Sequence, residues 1–178
     1  MTDYFAFYGL PVTFHPDAAL IKQKFYELSK KYHPDFYINE SEDKQSEVLE
    51  LSTLNNKAYQ LLGNPQKRLQ YILELKGMIQ EGEGYKLPQD FLMEMMDINE
   101  ALMDLQFDPD AARLEELKKE VDGVEVALTA KIDALTVSFD NLNEEQQSLV
   151  LAQIKDLYYR NKYLYRLRES IVKASASA

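Results

Sequence analysis

The chain has no cysteine and no tryptophan among its 178 residues, only two histidines, and six each of glycine and proline. Without cysteine there are no disulfides, thiolate metal sites or thiol nucleophiles. The absence fits a reducing compartment, and a cytoplasmic protein is expected. Few glycines and prolines, with many Leu, Lys, Glu and Gln, favour helix throughout. No apolar run approaches the ~20 residues needed to span a bilayer. The N-terminus, Met1-Thr2-Asp3-Tyr4, has no signal-peptide pattern. No glycine-rich phosphate loop, Glu-x-x-His pair or zinc-ligand spacing occurs, so neither a cofactor nor a metal is expected, and no catalytic residue is assigned.

What is present is 46% hydrophobic residues, enough for a packed core, and a net charge of −10. The charge is uneven. Residues 1–76 carry 9 basic and 10 acidic side chains, whereas residues 77–178 carry 11 and 20. An acidic second half argues against nucleic acid or an anionic membrane as partner and suits a basic protein surface. The same acidity would also serve solubility alone.

The spacing predicts an all-α chain. A short helix over Asp3–Tyr8 closes at Gly9 and Pro11. Asp17 caps a helix over Ala18–Tyr32, in which Ile21, Phe25, Leu28 and Tyr32 recur at spacings of 4, 3 and 4 and form the core stripe. Lys22 and Lys30, with Tyr26 between them, lie on the opposite side; Lys24 and Lys31 flank the stripe. A charge run of this kind is also what a solvated helix face looks like. The helix ends at His33-Pro34-Asp35, because Pro34 cannot donate a backbone hydrogen bond and pushes His33 out of helical geometry. An earlier His15-Pro16-Asp17 sits at a helix start and is given no role.

Phe36–Glu40 reads as a loop. Ser41 starts a helix of about six turns, with Val48, Leu51, Leu54 or Asn55, Ala58 and Leu62 on its apolar side, ending at Gly63. Asn64-Pro65 opens the next helix, to Lys76, with a basic Gln66-Lys67-Arg68 start. Residues 77–87 read as a linker. Three longer helices follow, about Pro88–Leu105, Pro109–Phe139 and Asn143–Val172, with Gly123 as a possible bend. Short connections make them an antiparallel three-helix bundle over 88–173. Ala174–Ala178 is expected to fray as a disordered tail.

A basic helix, a His-Pro-Asp loop and an antiparallel return helix together resemble the J-domain. The resemblance covers residues 1–76 through Tyr4, Leu10, Leu28, Tyr32-His33-Pro34-Asp35, Asn56, Ala58-Tyr59, Leu62, Pro65, Gln66-Lys67-Arg68 and Tyr71. It implies that His33, Pro34 and Asp35 contact a seventy-kilodalton heat-shock chaperone and stimulate its ATP hydrolysis, with Lys22, Lys30 and Lys31 docking on the chaperone's ATPase domain. J-proteins are not enzymes themselves. Phe36 stands where many J-proteins have lysine.

In the second half, Phe91, Met95, Ile98, Leu102 and Leu105 make one heptad-like stripe, sufficient for the bundle core. Leu92, Met96 and Met103 make a second stripe about 100° away, which Met93 extends. This stripe would serve either to pack on the third helix or the first domain, or as an exposed, adaptable partner surface. The segment Phe91–Leu102 resembles the HscB family of J-proteins of iron–sulfur cluster assembly. That resemblance implies binding of the cluster scaffold protein, with Leu92, Met93 and Met96 as apolar anchors and Asp97, Glu100 and Asp104 as polar rim; Tyr159 is added from the last helix. Met96 stands where leucine is common, and Asp97 and Asp104 where glutamate is. Two other readings remain open on the residues: a general J-protein for unfolded clients, although the Gly-Phe-rich linker and zinc repeats common there are absent, and a small helical enzyme using His33 and Asp35.

Overall fold

In the computed structural model, residues 2–177 are described and no strand forms among them. The chain divides into two compact units, Met1–Gly77 and Met78–Ala178.

The first unit holds helices α1 (Tyr4–Tyr8), α2 (Ala18–Lys31), α3 (Glu42–Leu62) and α4 (Pro65–Leu75), with a 3-10 turn at Pro34–Tyr37. The expected caps form. The Asp17 carboxylate accepts from the Ala19 N–H at 2.8 Å, Ser41 accepts from Lys44, and Asn64 accepts from Lys67; each such cap contributes about 1 kcal/mol. Ile21 of α2 and Val48, Ala58 and Leu62 of α3 are buried with Phe5, Tyr8, Ile72 and Leu73. Phe25 stacks on Tyr59 with ring centroids 4.2 Å apart, joining the two arms of the α2–α3 hairpin.

The position left open between Leu54 and Asn55 goes to the asparagine, which is 1% exposed. Its amide donates to the Phe25 carbonyl and the Ser29 hydroxyl, both at 3.0 Å, and its Oδ1 accepts from the Tyr8 hydroxyl at 2.8 Å. One side chain thus bonds α1, α2 and α3 together, and its buried polar atoms are satisfied. Burial pushes the Tyr8 hydroxyl pKa up.

The second unit is built from α5 (Gln89–Phe107), α6 (Ala111–Thr136) and α7 (Glu144–Ser177), with a 3-10 turn at Phe139–Asn141. Met95, Ile98 and Leu102 of α5, Leu117, Val121 and Leu128 of α6, and Ile154, Leu164 and Leu167 of α7 fill its core. Helix α6 starts two residues later than the sequence suggests, because Asp110 is the residue that caps it, accepting from Ala112 and Arg113. It runs through Gly123 without a break and ends at Thr136; Phe139, expected as its last residue, is buried in the following turn.

Helix α7 is described through Ser177, within the segment expected as a tail, and Ala178 lies outside the described residues. Alanine is the best helix former, and the Ser175 hydroxyl bonds back to the Ile171 carbonyl at 2.9 Å.

Candidate functional site

The His-Pro-Asp corner is a braced turn. Helix α2 stops when Tyr32 leaves helical geometry, and His33 before proline is extended at φ −73°, ψ 123°. Lys30 and Lys31 occupy the last turn of α2, where positive charge suits the helix dipole. His33 Nδ1 then accepts from the Asp35 N–H at 3.3 Å and caps the 3-10 turn. A neutral imidazole bonded this way carries its proton on Nε2, which leaves that atom as a donor.

Two side chains fasten the turn, one from its own last residue and one from α3. The Tyr37 hydroxyl donates to the Lys31 carbonyl at 2.9 Å, and the Gln45 amide donates to the carbonyls of Ile38 and Glu40 at 3.1 and 2.9 Å. Nothing in the sequence pattern marks either residue as a brace, and the segment expected as a loop from Phe36 is in part this 3-10 turn. The side chains of His33 and Asp35 remain 52% and 76% exposed, with Nδ1 and Oδ2 3.7 Å apart. The corner therefore points outward and is open to a visitor.

Lys22, Lys30 and Lys31 are exposed along α2, as is Tyr26. Lys31 Nζ lies 5.2 Å from the Tyr32 ring centre. Lys24 is paired with Glu27 at 3.4 Å. The basic start of α4 is different from its appearance in sequence. Arg68 is turned inward, its guanidinium donating to the carbonyls of Phe14 and Leu62, and burial lowers its pKa. It fastens the α3–α4 corner instead of adding surface charge.

On α5 the two stripes separate. Phe91, Met95, Ile98 and Leu102 are buried, whereas Met93, Met96 and Met103 are 55%, 55% and 58% exposed. Leu92 is half-buried, and Asp97, Glu100 and Asp104 are exposed. The open stripe continues to Phe107, 86% exposed, so apolar side chains run over four turns of the helix. The seam with α7 lies alongside: Asn99 donates to the Tyr163 hydroxyl at 2.9 Å, and Arg160 sits 5.2 Å from the centre of the Phe91 ring.

Tyr159, one turn before Tyr163, is already engaged. Its ring stacks on Tyr85 at 4.4 Å and 6°, and its hydroxyl donates to Glu83 at 3.1 Å. Tyr85 in turn donates to Asp156 at 2.8 Å, and Lys155 pairs with Glu83 at 2.6 Å. Burial first, and then these carboxylates, push both tyrosine pKa values up to about 12, while Lys155 holds Glu83 below the usual carboxylate range. Residues 83–85, within the segment read as a linker, are thus strapped to α7.

Among the described residues no cluster of histidine and carboxylate side chains could hold a metal ion, and no helix is long and apolar enough to cross a membrane.

Residues 3–71 match the DnaJ domain, and residues 87–172 match the HSCB C-terminal oligomerisation domain. The iron-sulfur cluster co-chaperone protein HscB of Mus musculus is 32% identical over 170 residues, which cover 95% of this chain and 67% of the mouse protein. The chain belongs to the HscB family. Solved HscB structures share its fold: chaperone HscB from Vibrio cholerae, with a TM-score of 0.70 at 26% identity over 99% of both chains, and human co-chaperone HscB, with 0.74 at 27% over 100% of this chain and 84% of the human one. The first unit is accordingly the J-domain of an HscB-type chain, and the α5–α7 unit is its HscB domain.

Proposed function

We propose that this chain is a co-chaperone that stimulates the ATPase of a seventy-kilodalton heat-shock-type chaperone through His33, Pro34 and Asp35. It delivers to that chaperone the protein scaffold on which iron–sulfur clusters are built, and so promotes cluster transfer. The scaffold is held by Leu92, Met93 and Met96, rimmed by Asp97, Glu100 and Asp104, with Tyr159 of α7 as a further contact. The chemistry belongs to the partners, and this chain is not itself an enzyme.

One observation carries the reading: a rigid, outward-facing imidazole–carboxylate corner at the end of a helix bearing exposed Lys22, Lys30 and Lys31. The lysines steer an acidic partner surface and fix its orientation. Asp35 then accepts from a partner arginine in a charge-assisted, geometrically strict bond. Because Pro34, Tyr37 and Gln45 hold the turn in advance, little ordering cost is left for binding. On α5, exposed methionines suit an adaptable apolar contact.

The test is ATPase turnover of the chaperone with wild type and with Asp35→Asn. The variant should keep the helical circular dichroism of the wild type, since Asp35 is exposed, and lose stimulation. Undiminished stimulation by the variant would rule the assignment out.

A further inference from the structure

The turn that carries His33 and Asp35 also carries apolar side chains that its own fold does not use. Phe36 and Ile38 are each 68% exposed. Leu49, 59% exposed, lies one helical turn beyond Gln45, the residue whose amide grips the Ile38 carbonyl. The Phe36 ring lies 5.7 Å from the His33 imidazole. Isolated apolar side chains in water are ordinary. Here two sit on one turn and the third on the first turns of the helix that grips it, and the backbone of that turn is fixed by polar bonds: Phe36 N–H to the His33 carbonyl at 3.1 Å, the Tyr37 hydroxyl to Lys31, and the Gln45 amide to Ile38 and Glu40. The rings and branches are not needed to hold the turn.

We infer that Phe36, backed by Ile38 and Leu49, is an apolar collar that closes over the contact between Asp35 and a cation of the chaperone's ATPase domain, and thereby selects which chaperone the corner accepts. The inference rests on the reading above that this corner docks on such a chaperone, and it adds the character of the surface that must receive it: an arginine beside an apolar depression. The cation is dictated by the Asp35 carboxylate. The depression follows from the place of the ring: in the 3-10 turn Phe36 is three residues after His33 and lies beside its imidazole, 5.7 Å away, and His33 Nδ1 is 3.7 Å from the Asp35 carboxylate.

The physical reason is screening. An ion pair open to water adds almost nothing. The same pair ringed by apolar groups that exclude water is much stronger. Lys22, Lys30 and Lys31 act at longer range and select for acidity, so they speed and orient encounter without discriminating among partners that are all acidic there. A shaped apolar collar discriminates, since a chaperone with a polar surface at that point would have to desolvate it without recompense.

The experiment titrates a purified seventy-kilodalton heat-shock chaperone from the same organism with full-length wild type, Phe36→Ala, Phe36→Leu, Phe36→Lys and Asp35→Asn, and follows ATP turnover at two salt concentrations. Phe36→Ala should raise the half-stimulating concentration about tenfold, roughly 1.4 kcal/mol, with a helical spectrum unchanged because the ring is exposed. Phe36→Leu should recover most of the loss. Phe36→Lys should be as weak as alanine although it enlarges the positive face. If Asp35→Asn is inactive while Phe36→Ala keeps the wild-type half-stimulating concentration, the collar is wrong and the docking reading stands. Tighter action by Phe36→Lys also overturns the collar, because charge alone would then govern. Full stimulation by Asp35→Asn removes the docking reading, and the collar with it.

Discussion

Asn55 shows how much one side chain decides in a unit of this size. Its amide replaces water for two groups on α2 and accepts the hydroxyl of Tyr8 on α1. Asn55→Ala would take the amide donor from the Phe25 carbonyl and the Ser29 hydroxyl, and leave the buried Tyr8 hydroxyl with only the backbone carbonyl of residue 55, 3.1 Å away, as partner. It should cost about 2–3 kcal/mol, read as a lowered midpoint in urea or thermal unfolding of the full chain. A loss below about 0.5 kcal/mol would mean that the bonds are replaceable by water. An asparagine between two leucine-type positions is ambiguous in sequence, since periodicity ranks apolar residues first and cannot see that a tyrosine from another helix will meet it. Arg68 is ambiguous for the opposite reason. Beside Lys67 it looks like surface charge, and only the carbonyls of Phe14 and Leu62, brought near by the fold, explain why it turns inward.

At the level of helices, the starts were the most legible feature, because a cap acts over three residues and leaves its signature in the local sequence. Asp17, Ser41, Asn64 and Asn143 each bond an N–H of the first turn. Helix ends without a side-chain signal were less so: nothing near Thr136 announces that α6 stops there. The two faces of α5 were separable as stripes and the first was assigned to the core, yet periodicity alone could not say whether the second would be covered; the tertiary structure leaves Met93, Met96 and Met103 open. The triple variant Leu92/Met93/Met96→Ala should therefore stay folded, losing about 1 kcal/mol, mostly from half-buried Leu92, and should no longer bind the scaffold protein in titration calorimetry. Unfolding of the variant would show that the stripe is core, and unchanged binding would remove α5 from the interface.

The whole chain is two units, each with its own core. Glycines at 82 and 84 suggest a free connection, because composition reports the conformational freedom of a segment and not what its neighbours lay against it. The strap of Glu83 and Tyr85 on α7 makes these residues part of the second unit. A fragment of residues 78–178 should fold, and one of residues 88–178 should be weaker by about 1–2 kcal/mol for the lost ring stack and hydrogen bonds. Thermal melts followed by circular dichroism compare them; equal midpoints would mean that the strap lies on α7 without supporting it.

The uncovered methionines and Phe107 of α5 also have a colloidal consequence. Greasy surface left wet invites copies to coalesce, and the formal charge of −10 keeps them apart by mutual repulsion. Near the isoelectric point of about 4.7 that repulsion vanishes while the grease remains, so mild acid should cloud a concentrated solution well before it unravels the helices.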